Sequence, residues 1–211
     1  MVKILFVLTL FFSFTLAEEF YINPYYLSKL KKDSKSYRIV EHYVDFLNKI
    51  KDEDNKTKIQ KVNLYINKIV PKYDNYNYKN DEYWATPFEF FSNAGGDCED
   101  YTIAKMYSLE ILGINPKIMY MSAVKDKYSG GNHMVLSLLV DKNKPPLILD
   151  NLSSKVLSLD KRVDLKLMFI FNKNGFFKLR NYKKLVKTDK LQLPAYEKLK
   201  EKYKKQLILK R

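Results

Sequence analysis

Apolar residues recur at helical spacing in the first half of the chain. Stretches 35–52 and 57–70 each place one apolar side chain every three or four positions, which predicts two amphipathic helices. Pro71 then ends the second helix. A third helix is predicted to begin near Cys98 and to end at Gly113.

The pattern changes after the third predicted helix. Short apolar runs bounded by turn residues predict strands, and these runs lie at residues 117–124, 133–140, 146–152 and 168–179. The last run predicts a hairpin that turns at Asn174-Gly175, and the lysine-rich tail from Ala195 has helical spacing. Helices followed by strands predict an α+β fold.

The chain begins with a segment typical of exported proteins. In "MVKILFVLTLFFSFTLAEEF" a lysine precedes the apolar run 4–17, and Thr15 and Ala17 supply small residues before a cleavage point. The run is shorter than the roughly 20 residues of a membrane-spanning helix. We therefore predict a signal peptide at 1–17 and a single domain at 18–211, with an uncleaved N-terminal anchor as the alternative.

The formal net charge is +14, and lysine supplies most of the excess. Because acids are interspersed among the lysines, the charge is interpreted mainly as a solvated surface, with attraction to an anionic partner as the alternative. Export argues against nucleic acid as a partner. No second apolar run follows the signal segment, so membrane insertion after cleavage is not expected.

Cys98 is the only cysteine, and it stands between acids in "GGDCEDY". A reactive thiolate favours cationic neighbours, whereas Asp97, Glu99 and Asp100 oppose its ionisation. A lone thiol in an exported protein favours a functional role, although a buried, inert cysteine remains an alternative. The acids around Cys98 therefore need an explanation.

A histidine and an aspartate complete a candidate triad. His133 opens a predicted strand after a glycine-containing loop, whereas the other histidine, His42, lies in a predicted helix and is interpreted as structural. If the hairpin turns at residues 141–142, His133 and Asp150 face each other across two strands. A carboxylate that orients an imidazole, which in turn activates Cys98, is the arrangement of a Cys-His-Asp triad.

The start of the third helix favours a reactive Cys98 in three ways. Asp97 is expected to cap the helix, and the free amides of the first turn stabilise a thiolate. The Cys98 amide is a candidate oxyanion donor. Gly95 and Gly96 are expected to let a substrate backbone approach closely.

Three segments of the chain resemble the bacterial transglutaminase-like cysteine proteinases, whose best-known members are the periplasmic LapG-type proteases. These segments are "YWATPFEFFSNAGGDCEDYTIAKMYSLEILGI", "NHMVLSLLV" and "PLILDNLSSKV". The resemblance implies a transglutaminase-like, papain-like fold with a helical N-terminal part packed on an antiparallel sheet. It also implies that Cys98 is the nucleophile, His133 the base and Asp150 the orienting acid.

Further properties follow only from this resemblance. Members bind calcium beside the nucleophile, which here implies Asp97, Glu99 and Asp100 as Ca²⁺ ligands. They cleave large surface adhesins in the periplasm at a pair of alanines near the N-terminus, and so control biofilm formation. An inner-membrane receptor for cyclic di-GMP sequesters them. A cation among the acids would reverse their effect on the thiol, while an acidic helix start without metal is the alternative.

The resemblance leaves several alternatives open. The same acyl-enzyme serves an acyl transferase of the transglutaminase type as well as an endopeptidase. A catalytically silent binding module is the third possibility, and the complete triad argues against it. Trp84 either borders the substrate groove or packs in the core, and the tail helix is expected to pack on the domain.

Overall fold

In a computed structural model, the structure describes residues 19–72, 83–181, 184–188, 194–206 and 208–210. The predicted signal peptide at 1–17 lies outside these residues. The helices are α1 Pro24–Leu27, α2 Lys35–Ile50, α3 Asn55–Ile66, α4 Pro87–Ser92, α5 Cys98–Ile111 and α6 Pro194–Gln206. Within the described residues, no helix is both long and apolar enough to cross a membrane.

Local sequence explains where these helices begin. Ser34 and Asp54 accept hydrogen bonds from backbone amides in the first turns of α2 and α3. Thr86 and Glu89 form a reciprocal capping box at the start of α4, where Pro87 occupies the first turn. The start of α4, the helix that precedes α5, is therefore fixed by its own side chains.

Seven strands form one antiparallel sheet with the order β5-β4-β3-β2-β6-β7-β8. They are β2 Met119–Asp126, β3 Asn132–Leu138, β4 Leu147–Asp150, β5 Ser153–Ser158, β6 Leu165–Asn172, β7 Gly175–Arg180 and β8 Lys184–Lys187. A separate antiparallel pair joins β1 Phe20–Ile22 to β9 Ile208–Lys210. Two 3-10 turns, Pro116–Ile118 and Leu159–Lys161, precede β2 and follow β5. The predicted α+β fold with an antiparallel sheet is confirmed.

The predicted hairpin at 168–179 is present, but its turn is displaced by one residue. Asn172 pairs with Gly175, so the two-residue loop is Lys173-Asn174 rather than Asn174-Gly175. Gly175 has a φ of 128° and opens β7. Glycine at this position allows the chain to leave the turn in a conformation that other residues rarely adopt.

Helix α5 lies at the centre of the fold and packs against β3, α3 and α4. Every residue from Asp100 to Leu109 is buried, which explains why this helix has no clear polar face. One face of α2 also packs in the core, and its buried residues include Val40, Tyr43 and Leu47. Burial of α5 on several sides fixes the position of Cys98 at its N-terminus.

The tail helix α6 packs on the domain, as expected. Tyr203 stacks on Tyr107 of α5 with ring centroids 3.6 Å apart, and Tyr196 meets Trp84 edge to face. Lys202 donates to the carbonyl of Trp84 at 2.6 Å, pairs with Glu89 at 3.2 Å and lies over the Tyr83 ring. The helix therefore holds the segment that leads into α4.

We expect Lys202→Met to destabilise the protein by roughly 1–2 kcal/mol, because it removes a charge-assisted hydrogen bond and a cation–π contact. Lys198→Met is the matched control, since Lys198 is exposed on the same helix. Thermal unfolding monitored by circular dichroism measures both variants. Equal melting temperatures for the two variants would contradict the conclusion that Lys202 attaches α6 to the segment that leads into α4.

Candidate active site

Cys98 is the first residue of α5 and lies against strand β3. The Met134 backbone on that strand acts on the thiol and lowers the pKa of Cys98. Thr102, one turn further along the helix, donates to the carbonyl oxygens of both Cys98 and Met134, at 2.9 and 3.1 Å. These contacts connect the N-terminal end of α5, where Cys98 lies, to the residue that follows His133.

His133 and Asp150 are in direct contact. The His133 Nε2 atom lies 2.8 Å from Asp150 Oδ1, and both side chains are nearly inaccessible to solvent. A bond at Nε2 leaves Nδ1 as the nitrogen available to a nucleophile. The structure thus brings the predicted base and orienting acid together beside the strand that contacts Cys98.

The predicted register of this pair is wrong by two residues. Leu136 pairs with Leu149 and Leu138 with Leu147, so His133 and Asp150 are diagonal neighbours rather than directly opposite. The turn lies further along the chain than predicted, in a connection that carries Pro145 and Pro146. Because side chains alternate with a period of two, the shift keeps both residues on one face of the sheet.

Asp150 is 1% exposed and is held by several partners. Besides His133, it accepts from the Leu152 amide at 3.0 Å and from Arg162 Nη2 at 2.6 Å. Asn67, the residue that follows α3, donates to the Asp150 carbonyl at 2.8 Å. Burial alone would raise the pKa of Asp150, but the bonds and charges of His133, Leu152 and Arg162 outweigh it and hold that pKa well below its usual range.

Arg162 is a site residue that the sequence interpretation missed. It follows the second 3-10 turn, is buried, and bonds Asp150 and Asp164 at once. A rigid guanidinium suits two carboxylates better than a lysine does. One feature of the sequence could have identified Arg162, namely the scarcity of arginine in a lysine-rich chain. The arginines are Arg38, Arg162, Arg180 and Arg211.

The acids beside Cys98 oppose its ionisation in the structure, as the sequence indicated. The thiol donates to Glu99 Oε2 at 3.2 Å. Burial, followed by the charge and hydrogen bond of Glu99, raises the pKa of Cys98 well above its usual range, and only the Met134 backbone lowers it. Without a further positive charge, the protein's own groups therefore favour the protonated thiol.

The expectation that Asp97 caps α5 is wrong. Asp97 occupies the N-cap position with the extended backbone usual there, but its side chain accepts no capping bond from the first turn. Asp100 is fully buried and accepts from the Ala85 amide at 2.7 Å. Asp97 therefore does not bond the first turn as a cap does, whereas Glu99 and Asp100 still place negative charge at the N-terminus of α5.

The three acids suit calcium by chemistry, because Ca²⁺ takes carboxylate and carbonyl oxygens in irregular geometry. Among the described residues, however, no three His, Cys, Asp or Glu side chains converge to hold a metal ion. Asp100 is bonded to Ala85, while Asp97 and Glu99 are only partly buried. These two carboxylates would need backbone carbonyls and water to complete a site.

The two glycines before Cys98 serve the protein's own packing. A Cβ atom at Gly95 would collide with the carbonyl of Val70 and with Lys72, and one at Gly96 would collide with the Asp100 carboxylate. Lys72 also donates from its amide to the Gly96 carbonyl at 2.8 Å. Neighbouring chain therefore fills the space on the Cβ side of both glycines, and the approach of a substrate backbone to them stays a prediction.

Trp84 packs in the core, 6.1 Å from the Phe171 ring and 8% exposed. Of the two alternatives, core packing is the one the structure supports. His42 is exposed on α2, an element that contributes no member of the candidate triad.

Comparison with known proteins identifies the class. Residues 39–165, more than half of the chain, match the family model of the bacterial transglutaminase-like cysteine proteinase (BTLCP). The chain therefore belongs to this family of cysteine proteinases. No match was found among curated protein sequences.

Solved structures of one relative are similar over most of their length. Calcium-bound LapG of Legionella pneumophila is 26% identical, with a TM-score of 0.73 over 85% of this chain and 96% of that chain. A second LapG structure is 28% identical, with a TM-score of 0.70 over 83% and 92%. EGTA-treated LapG is 27% identical, with a TM-score of 0.71 over 83% of this chain and 92% of that chain.

We expect Arg162→Met to lower the free energy of unfolding by about 3–5 kcal/mol, because it leaves Asp150 and Asp164 without their shared cation. Arg180→Met removes an exposed arginine and serves as the control. Urea denaturation measures both. If Arg162→Met unfolds at the same urea concentration as Arg180→Met, the anchoring role assigned to Arg162 is wrong.

Proposed function

We propose that the protein is a calcium-dependent cysteine endopeptidase with Cys98 as nucleophile, His133 as base and Asp150 as orienting acid. The observation that carries the proposal is the buried His133–Asp150 hydrogen bond, next to the strand residue that contacts Cys98. Membership of a cysteine proteinase family supports the reaction class.

The proposed reaction is acyl transfer through a thioester. The Cys98 sulfur attacks the scissile carbonyl carbon while its proton passes to His133, and the Cys98 amide stabilises the oxyanion. The carbon–nitrogen bond then breaks, and His133 returns the proton to the leaving amine. A water molecule, deprotonated by His133, hydrolyses the thioester and releases the acid product.

Calcium is proposed to bind at the acids around Cys98. Asp97 and Glu99 supply carboxylates, and Asp100 braces the segment through its bond to the Ala85 amide. A bound cation supplies the positive charge that the thiol lacks. The calcium-bound and EGTA-treated LapG structures support this dependence by similarity.

The proposed substrate is the N-terminal region of a large surface adhesin, cleaved in the periplasm. The family resemblance and the signal-peptide pattern at 1–17 support this proposal. The same resemblance supports control of biofilm formation through an inner-membrane cyclic di-GMP receptor. Co-expression with a candidate adhesin and detection of its released fragment tests the substrate directly.

Each of Cys98→Ser, His133→Ala and Asp150→Ala is expected to remove most cleavage of a quenched fluorogenic peptide that carries an alanine pair. Residues that act as one unit lose activity together, and we expect the Asp150 variant to retain the most. His42→Ala is the control for loss of a histidine. Cleavage by His133→Ala near the wild-type rate would refute the triad.

The group that accepts the acyl chain from Cys98, water or an amine, distinguishes the endopeptidase from an acyl transferase. Hydrolysis yields only the acid product, whereas a transferase would yield mainly an amide when a primary amine such as cadaverine is added. Mass spectrometry of the products separates the two outcomes. Predominant amide formation at millimolar amine would favour the transferase.

We expect EGTA to abolish peptide cleavage and added Ca²⁺ to restore it, with Mg²⁺ a poor substitute because it demands tighter octahedral geometry. Ca²⁺ should also raise the melting temperature, since it binds the folded state. Asp97→Asn and Glu99→Gln should weaken the response, and Asp160→Asn at an exposed site should not. Full activity in excess EGTA, with no calcium binding by calorimetry, would contradict this part of the proposal.

A further inference from the structure

The peptide group that joins Trp84 to Ala85 lies between two charged side chains. Its carbonyl oxygen accepts a hydrogen bond from Lys202 Nζ of α6 at 2.6 Å. Its N–H group donates to Asp100 Oδ1 of α5 at 2.7 Å. One peptide group therefore connects an ammonium group on the tail helix to a carboxylate two residues after Cys98.

The order of the charges along this connection strengthens both hydrogen bonds. A cation at the carbonyl oxygen polarises the peptide and makes its N–H a better donor, and an anion at the N–H makes the carbonyl a better acceptor. Hydrogen bonds to charged groups are also stronger than those between neutral groups. Because Ala85 and Asp100 are both 0% exposed, water does not compete for the bond between them.

The Lys202 ammonium group is held in place by two neighbours of the same peptide. Glu89 Oε2 lies 3.2 Å from Lys202 Nζ, and the centroid of the Tyr83 ring lies 3.7 Å from it. Glu89 in turn accepts from the Thr86 amide at 2.9 Å and from the Tyr83 hydroxyl at 2.8 Å. These contacts direct the ammonium group toward the Trp84 carbonyl.

Asp100 lies where it can orient the start of α5. It is the third residue of the helix, and its carboxylate fills the space that a Cβ atom at Gly96 would need. Asp97, Cys98 and Glu99 lie between Gly96 and Asp100 in sequence. The positions of the nucleophile and of the two acids beside it therefore depend on the position of Asp100.

We propose that Lys202 is a positioning residue for the acids around Cys98 and acts on Asp100 through the Trp84–Ala85 peptide. This inference rests on the proposed binding of calcium at these acids. The tail helix α6 thereby contributes to calcium affinity without supplying a ligand. Replacing a residue that orients metal ligands from outside typically lowers metal affinity 10–100-fold.

Calorimetric titration of the protein with Ca²⁺ tests the inference. We expect Lys202→Met to raise the dissociation constant for Ca²⁺ roughly tenfold, at the lower end of that range because a peptide group intervenes. Lys202→Arg keeps a cationic donor for the Trp84 carbonyl and should restore most of the affinity. A role in stability alone gives no reason for calcium affinity to follow the charge at this position.

Tyr203→Leu is the matched control. It removes the stacking of Tyr203 on Tyr107, which is a contact between α6 and α5, and it leaves Lys202 unchanged. We expect this variant to lose thermal stability but to keep the calcium affinity of the wild type. If Lys202 only attaches α6 to the domain, the two variants should lose calcium affinity alike.

Hydrogen exchange of the Ala85 amide, measured by NMR in the presence of EGTA, tests the same connection without metal. We expect slow exchange in the wild type, because this N–H is buried and bonded to Asp100. Lys202→Met should exchange it roughly tenfold faster, since the loss of the cation favours local opening. Tyr203→Leu should change the rate much less.

The outcomes separate this inference from the proposed function. If the wild type binds Ca²⁺ and Lys202→Met binds it equally well, or no more weakly than Tyr203→Leu does, the positioning role of Lys202 is wrong. If the wild type binds no Ca²⁺, the proposed calcium dependence is wrong, and the exchange rate then decides whether Lys202 acts on the bond to Asp100. Equal Ala85 exchange in the wild type and Lys202→Met would overturn that connection.

Discussion

The Asp150 carboxylate is the buried charge on which the rest of the site depends. A carboxylate at 1% exposure is stable only with strong partners, and Arg162 and His133 provide them on separate oxygens. The second 3-10 turn places Arg162, strand β3 places His133, and Asn67, which follows α3, holds the Asp150 backbone. The ends of three elements are thereby fixed around one side chain, which is what a proton-transfer site requires.

The raised pKa of Cys98 is a second constraint, and it opposes proton transfer to the His133–Asp150 pair. In the proposed triad His133, oriented by Asp150, accepts a proton from Cys98, while burial and Glu99 raise the pKa of that thiol. Protein groups alone therefore leave the site assembled but unfavourable for thiolate formation. A cation at the acidic helix start would remove the conflict, and metal control of activity would follow from the same charges.

Much of this was predictable from sequence because it depends on periodicity and local chemistry. Helices α2 and α5 end within about two residues of the predicted limits, since apolar spacing defines both and Gly113 follows α5. The face shared by His133 and Asp150 was predicted despite a wrong register, because alternation survives a two-residue shift. The roles of Arg162 and Gly95 depend on contacts between distant segments, which no local pattern encodes.

The most direct test concerns activation of Cys98 by the His133–Asp150 pair. Iodoacetamide labelling of the wild type and of Asp150→Asn with saturating Ca²⁺ at pH 6, followed by intact-protein mass spectrometry, measures it. Labelling of the wild type much faster than a free cysteine peptide, and of the variant at or near the peptide rate, is the predicted result. Equal labelling rates for the two proteins would contradict the dependence of Cys98 on the buried pair.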